Sequence, residues 1–433
     1  SAQVAPGPPE ARDPEVDLPV HCGSLVTATD GAHEARAWHV EPSVRRMRAH
    51  IELGPDDDDE VADLLAERLD EGGCALVVRN TVSRAQSSFR KLRDKFPPGE
   101  VVLLHSRFLA GDRKTSEARV VRMLGPASSR AGEPCRPHRL VVVGTQVVEQ
   151  SLDIDADLLV TDLAPTDLLL QRIGRLHRHA RPASDRPTRV SEPTVVVTGV
   201  ADWLADPVEP DRGSTAVYGE HLLLRAAIQC RRMAADDAGL DLPGDIAPLV
   251  AEAYADGELG PARWHRAEQA ARRVDDRRRA ASENRAATFR LGPPVAAGSL
   301  VGGARAQVRE SDGSLEVLVV QSGGAGQWRL PDWTAAGASA GAGSPVPMEQ
   351  EPPVGLVRAL AATAVRLPAA MGRGKRGDAV LDALEALMRP AWQSLPFLLG
   401  QLVLPLDDDG SADVAGFRIA YDPRLGLTVE ESA

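Results

Sequence analysis

Between residues 72 and 200 short apolar runs alternate with helical stretches, and this alternation restricts the fold more than any other feature of the chain. CALVVR (74–79), VVLLH (101–105), RLVVVGT (139–145), ADLLVTD (156–162) and TVVVTG (194–199) are each too short for a helix of ordinary length. They also lack the apolar–polar alternation of a half-exposed strand, so they read as strands buried on both faces, as in a parallel sheet. SRAQSSFRKLRDKF (83–96), a run near 112–124 and TDLLLQRIGRLHRH (166–179) have helical spacing and supply the crossovers. The expected fold class is α/β, a parallel sheet with helices on both faces. Ligands of such sheets sit at the carboxyl ends of the strands.

The rest of the chain arranges itself around that core. Residues 1–19 are rich in Pro, Ala and acids, without periodicity, and read as a disordered lead-in. Residues 20–55 hold two short strand-like runs. The acidic run Asp56–Glu60 leads into the amphipathic VADLLAERLD. Asp57, Asp58 and Asp59 suggest a metal cluster on paper, but solvated acids near a helix N-terminus are the simpler reading. Residues 56–200 form the sheet domain. Residues 201–334 read as mainly helical with short strands such as LEVLVV (315–320). They include a stretch from Arg263 to Arg290 with nine Arg against Glu268, Asp275, Asp276 and Glu283. That stretch fits a nucleic-acid track or a solvated, ion-paired helix. Residues 335–353 are Ala/Gly/Ser/Pro-rich and read as a flexible linker. Residues 354–433 give two helical runs, a β-hairpin with turn DDDG, a Tyr421-Asp422-Pro423 turn and a terminal strand, a small α+β domain.

Composition excludes several classes. With 433 residues and a net charge of −12, any nucleic-acid contact must be a local groove and not a global basic field. No apolar run approaches the roughly 20 residues of a membrane helix. No charged-then-apolar leader supports secretion. Cys22, Cys74, Cys135 and Cys230 form no C-x-x-C pair, which argues against a zinc site and a disulfide scaffold and for reduced thiols in a cytoplasmic protein.

The most informative segment is QRIGRLHR (171–178). On a helix, Gln171, Arg175 and Arg178 fall at i, i+4 and i+7 and share one face. An amide and two guanidinium forks on one face suit phosphate oxygens. His177 and His179, two residues apart on a helix, point away from each other and make no metal pair. Twenty residues earlier TQVVEQSLDID (145–155) follows a strand directly, placing Thr145, Gln146, Glu149, Gln150 and Asp153 in a polar loop at the mouth of the sheet.

GTQVVEQSLDIDADLLVTDLAPTDLLLQRIGRLHRH resembles motifs V and VI of superfamily 2 helicases, and in detail the CRISPR-associated helicase–nuclease of type I systems. VVRNTVSRAQ (77–86) and LLHSRF with Arg113 (103–113) are similar to that family's motif IV region and the segment after it. VYGEHLLLR (217–225) and GQLVLPLDDDG…FRIAYDPRLGL (400–427) resemble its later helices and C-terminal domain. Ser151 stands where Gly is common in the broader superfamily and agrees with this narrower family.

The resemblance implies a RecA-like lobe and roles for individual residues. Gln171, Arg175 and Arg178 would face nucleotide phosphates, the two arginines as fingers, with Asp153 near the ribose or bracing them. Thr145 and Gln146 would touch the backbone of single-stranded DNA and couple it to the nucleotide. Asn80, Thr81, Ser106 and Arg107 would hold strand phosphates. The cofactors implied are ATP and Mg²⁺. The implied partners are single-stranded DNA, a guide-RNA surveillance complex, and a first helicase lobe with a nuclease domain.

This sequence contains no G-x-x-x-x-G-K-[ST] loop, no D-E-x-H/D box and no His-Asp cluster. Gly372-Arg373-Gly374-Lys375 has neither the spacing nor the preceding strand of a phosphate loop. The expectation is therefore the second lobe and C-terminal portion of a longer enzyme, carrying the finger half of an ATP site and one side of a DNA groove, and inactive alone. Two alternatives stay open: a non-catalytic adaptor that binds DNA or the surveillance complex, and the same half of another DExH helicase.

Overall fold

In a computed structural model, the described residues are 46–150, 152–287, 314–323, 326–333 and 341–431, with the backbone of 24–28 and 35–39. The lead-in 1–19 and Ser151 lie outside them.

Strands β1 (Ser24–Ala28) and β2 (Ala35–His39) pair antiparallel as a separate ribbon. The main domain then runs β3 (Met47–Leu53), α1 (Asp58–Arg68), β4 (Gly73–Val78), α2 (Val82–Lys95), β5 (Val101–Leu104), α3 (Ala110–Leu124), β6 (Arg139–Gly144), α4 (Gln146–Gln150), β7 (Leu158–Asp162), α5 (Thr166–Ile173) and β8 (Thr194–Thr198). It continues with α6 (Arg212–Tyr218), α7 (Glu220–Ala234), β9 (Leu240–Leu242), α8 (Ile246–Tyr254) and α9 (His265–Ala287). Seven strands form one sheet in the order β5-β6-β4-β7-β8-β3-β9, parallel throughout except for the edge pair β3–β9. The sheet takes β3 from the 20–55 stretch and β9 from the helical region, so it reaches beyond 56–200 at both ends.

The apolar runs work as their composition requires. Every residue of β4 is buried. Cys74, Leu76 and Val78 face one core with Leu169 and Ile173 of α5 and Leu223 and Ala227 of α7. Ala75 and Val77 face the other with Leu65 of α1 and Phe89 and Leu92 of α2. A period of two splits each strand between two helical layers.

The acidic run is built in rather than merely solvated. Asp57 Oδ1 caps α1 by accepting from the amides of Asp59 and Glu60 at 2.9 and 3.1 Å. Asp56 and Asp58 pair with Arg84 and Arg79 at 2.6 and 3.0 Å.

The helix expected over 166–179 ends at Ile173. Leu176 bridges to Ala156, and His177 adopts a left-handed φ of 43°. The tertiary bridge to the approach of β7 outweighs the helical spacing of residues 174–178. The i, i+4, i+7 face expected for Gln171, Arg175 and Arg178 is therefore not formed.

The C-terminal unit contains β10 (Glu316–Ser322), β11 (Trp328–Arg329), β12 (Pro345–Val346), α10 (Val354–Ala362), β13 (Ala364–Arg366), α11 (Gly374–Glu385), β14 (Leu402–Leu406), β15 (Ser411–Val414), β16 (Phe417–Asp422) and β17 (Gly426–Glu431). β10 is its centre, parallel to β14 and antiparallel to β11 and β13. Val346, within the stretch read as a linker, pairs with Trp328 and is buried. The turn at Asp407–Ser411 forms, but the hairpin expected around it does not. β14 pairs with β10, because its apolar residues are buried on both faces, while β15 joins the β16–β17 meander.

The Asp422–Gly426 turn of this unit docks on the main domain. Leu427 N donates to Arg107 O at 2.8 Å. Gln86 Nε2 donates to Leu425 O at 2.7 Å, and His105 Nε2 lies 2.9 Å from the same oxygen. Tyr421 Oη donates to Asp112 at 2.9 Å and accepts from Leu109 N at 3.3 Å. Among the described residues no helix is long and apolar enough to cross a membrane.

Candidate functional site

The site residues fall into two groups. The first lies where the strands of the sheet end. β4, β5 and β6 stop at Val78, Leu104 and Gly144, and the chain continues there with Asn80-Thr81, Ser106-Arg107 and Thr145-Gln146. Asn80 is buried, and its side chain is spent within the protein. Nδ2 donates to Leu163 O at 2.7 Å and Ser214 Oγ at 2.8 Å, and Oδ1 accepts from Arg172 at 2.9 Å. That leaves it no free donor for a strand phosphate. Thr81 Oγ1 caps α2 through the amide of Arg84. Thr145 is buried, and Gln146 Nε2 donates to Asn80 O at 3.2 Å and Tyr218 Oη at 3.0 Å.

Arg107 stands apart from these. Among the described residues no carboxylate pairs with its guanidinium, and burial alone pushes its pKa down. An unpaired, partly desolvated cation is a poor end state unless an anion joins it.

The second group lies near the opposite end of β7, where Leu176 meets Ala156. There Arg178 Nε pairs with Asp153 Oδ1 at 2.6 Å. This hydrogen bond holds the Asp153 carboxyl below its ordinary pKa. Together they line an open cleft of about 390 Å³ with Leu170, Gly174 and His179. Arg175 points toward α4 and donates from Nη2 to Glu149 O at 2.7 Å. Its Nε is buried without a partner, and its pKa is lowered by burial and by Arg178. Gln171 is exposed. The structure thus brings Asp153 and Arg178 together, sets Arg175 beside them facing inward, and leaves Gln171 outside. The open cleft is lined by Arg178 and Asp153, with Arg175 set behind them.

Several functional supports carry no sequence motif that singled them out. Arg172 is fully buried and links the two groups. Its Nε pairs with Glu149 at 2.8 Å, Nη1 donates to Thr161 Oγ1 at 2.8 Å, and Nη2 donates to Asn80 Oδ1 and Tyr218 Oη. Asp155 and Asp157 brace the segment that follows α5. Asp155 accepts from Arg178 N at 2.7 Å and pairs with Arg181 and Arg186. Asp157 pairs with Arg136 and Arg186 and accepts from Cys74 N at 2.8 Å. Asp162 takes Arg79 and Arg84, which hold its carboxyl far below the usual range although burial opposes this. The available signal was the number of acids flanking the β7 run, since a buried acid demands a partner. Which arginine answers each acid is not encoded locally.

Comparison with known proteins adds an independent line. The family described as "CRISPR-associated nuclease/helicase Cas3, C-terminal" matches residues 71–181, and the "Cas3 C-terminal domain" matches residues 309–427. A relative from Streptococcus thermophilus, a CRISPR-associated nuclease/helicase Cas3, is 28% identical over 432 residues, covering 94% of this chain and 43% of its own. A crystal structure of a CRISPR-associated protein superposes with a TM-score of 0.75 at 31% identity, over 96% of this chain and 44% of that one. T. fusca Cas3 with ATP gives 0.69 at 25%, over 91% and 44%. A chain of a CRISPR RNA-guided surveillance complex in a pre-nicking state gives 0.63 at 25%, over 89% and 44%. The chain spans less than half the length of these relatives.

Proposed function

Because this chain belongs to the Cas3 family, as part of its C-terminal region, we propose that it is the second RecA-like lobe and accessory domain of an ATP-dependent single-stranded DNA translocase. The nuclease coupled to that motor degrades foreign DNA in CRISPR interference. Arg178, Arg175 and Asp153 form the half of the nucleotide site on this side of the cleft; Gln171 is kept in it only by the family resemblance, since it lies outside their cluster. ATP, with Mg²⁺ held mainly by the first lobe, supplies the phosphoryl bond whose cleavage powers movement. The residues of this chain stabilise charge on the phosphates, an effect worth on the order of 10³–10⁵ in rate for arginine fingers elsewhere.

The strand side of the reading uses Arg107 with Ser106 and Thr81 as phosphate contacts. Thr145, Gln146 and Asn80 position that surface from below. The observation that carries the proposal is the pair of incompletely satisfied guanidiniums: Arg107 has no carboxylate, and Arg175 Nε is buried without a partner. They lie on the two groups that Arg172 joins, which suits a coupling of nucleotide to strand. A guide-RNA surveillance complex as partner is supported by the neighbour solved in such an assembly.

The test is reconstitution. The chain alone should hydrolyse no ATP. Supplied with a first lobe carrying the phosphate loop and acidic box, it should become a DNA-stimulated ATPase that Arg175→Ala or Arg178→Ala abolishes. Hydrolysis by the chain alone, or restored hydrolysis indifferent to both substitutions, overturns the reading. Binding to DNA or to surveillance complex without restored hydrolysis leaves the adaptor alternative.

A further inference from the structure

The arginine-dense helix α9 has two plausible readings in sequence, because its acids are interleaved with its arginines. The structure separates them by face. Trp264, Glu268, Ala271 and Asp275 fall at i, i+4, i+7 and i+11 and turn inward. Glu268 is buried against Arg225 and accepts from Leu259 N and Gly260 N at 3.1 and 3.2 Å. Asp275 packs toward Gly219, whose added Cβ would lie 2.6 Å from its Oδ1. Arg272 is neutralised from the side by Asp256 at 2.5 Å and Asp276 at 4.0 Å.

Glu268 and Asp275 therefore lie off the opposite face, where, among the described residues, Asp276 is the one acid that shares the groove with the arginines. Arg266, Arg273 and Arg277 share that face and are exposed. Among the described residues none of the three has a carboxylate partner; Arg273 and Arg277 donate only to carbonyls one turn back in their own helix. Eleven residues of helix place the first and last roughly 16 Å apart. Between them an open groove of about 750 Å³ is lined by these arginines with Ala270, Val274 and Asp276. Val274 is 48% exposed there.

We infer that this face of α9 is a second nucleic-acid contact, a stripe that takes the phosphate backbone of a single strand beyond the helicase motifs. A small anion cannot bridge three cations spread over that length, whereas a polyanion meets all of them. The exposed Ala270 and Val274 offer apolar surface to sugar faces between the phosphates. In a chain of net charge −12, such a strand has no global field to draw it and needs a local stripe. The inner face of the same helix, opposite the stripe, abuts the segment that supports the strand surface proposed above. Asp275 meets Gly219, and its neighbour Tyr218 bonds Gln146 and Arg172. Only this last point rests on the helicase reading.

The test is the salt dependence of binding of a labelled oligothymidylate to the full chain by fluorescence anisotropy. The triple variant Arg266→Gln, Arg273→Gln, Arg277→Gln should bind more weakly. Its slope of log affinity against log salt should be shallower by about 2, from about 0.7 per lost phosphate contact. The corresponding triple Lys variant should keep the native slope, which excludes a folding defect. An unchanged slope in the Gln variant, or no measurable binding by the native chain, overturns the inference. Equal loss of binding to poly-glutamate also overturns it, because the stripe would then fit an acidic protein surface. Arg107→Ala measured in parallel keeps the two claims apart. A slope lowered by the α9 variant but not by Arg107→Ala leaves the stripe standing and sinks the motif-based strand surface, and the reverse sinks the stripe alone.

Discussion

Arg172 Nη2 donates to Asn80 Oδ1 at 2.9 Å, joining the end of β4 to the helix that leads into the arginine pair. The same guanidinium reaches Glu149, whose carbonyl holds Arg175. One fully buried fork therefore touches both halves of the candidate site. A planar fork with five donors can do this; an ammonium cannot satisfy the same directions.

Replacing this fork should be costly. Arg172→Ala leaves Glu149 buried and unpaired and should lower unfolding stability by about 3–5 kcal/mol. Arg172→Lys should recover only part of that, since one ammonium replaces a three-sided fork. Urea denaturation of the three proteins measures both steps. Full rescue by lysine would show that charge alone, and not fork geometry, is what the site needs.

Asp153 and Asp155 are two residues apart and should behave oppositely. The Asp153–Arg178 pair is 51% and 39% exposed, so Asp153→Asn should change stability by less than about 1 kcal/mol. If Asp153 orients Arg178 toward phosphate, the same variant should depress the reconstituted ATPase. Asp155 is fully buried between Arg181 and Arg186, and Asp155→Ala should destabilise by about 3–5 kcal/mol. Equal stability losses for the two variants would show that Asp153 is structural and that its exposure misleads.

The parallel sheet was legible because burial on both faces leaves Val-rich runs such as RLVVVG, a local and unambiguous signal. The end of α5 was not legible, because Gly174–Arg178 keeps helical spacing and only the distant Ala156 draws it out of the helix. β14 was mistaken for one arm of a hairpin for the same reason: its turn chemistry is local, but its partner β10 lies some eighty residues earlier. That Asp153 lies beside Arg178 was implied only by the family resemblance, and the two pair at 2.6 Å. Arg172 carries no local signal in QRIGRLHR, because a buried arginine is recognised only once its acids are in place.

His105 gives a pH signature. Burial pushes its pKa down to about 3 in the folded state, from 6.5 in an open chain. The unfolded chain therefore binds more protons between those values, and stability rises with pH across that window. The contribution is complete above about pH 6.5 and is lost as pH falls toward 3, at a limiting slope of about 1.4 kcal/mol per pH unit. Burial also lowers His177 and His221, so the native curve alone does not isolate His105. His105→Gln should flatten the difference between urea midpoints at pH 7 and pH 5 relative to the native chain. Parallel pH curves for the two proteins would place the acid sensitivity elsewhere.

The docked turn of the C-terminal unit depends on a residue with no side chain. Gly426 has φ +71°, and a Cβ there would sit 2.6 Å from His105 Cε1 and 2.7 Å from Arg107 O. Left-handed backbone costs a non-glycine residue about 1–2 kcal/mol before any clash is counted. Arg107 O is backbone and cannot swing away, so Gly426→Ala should pry Leu427 N from Arg107 O and loosen Leu425 O from Gln86 and His105. The expected readout is amide exchange. Protection at Leu427 should fall by about tenfold or more, a factor that 1.4 kcal/mol already supplies. Protection of the β4 amides, deep in the main sheet, should be unchanged. Because the turn holds the loop that carries Ser106 and Arg107, oligothymidylate affinity should fall in the same variant. Lost protection with full DNA affinity would show that the C-terminal unit docks beside the strand surface without shaping it.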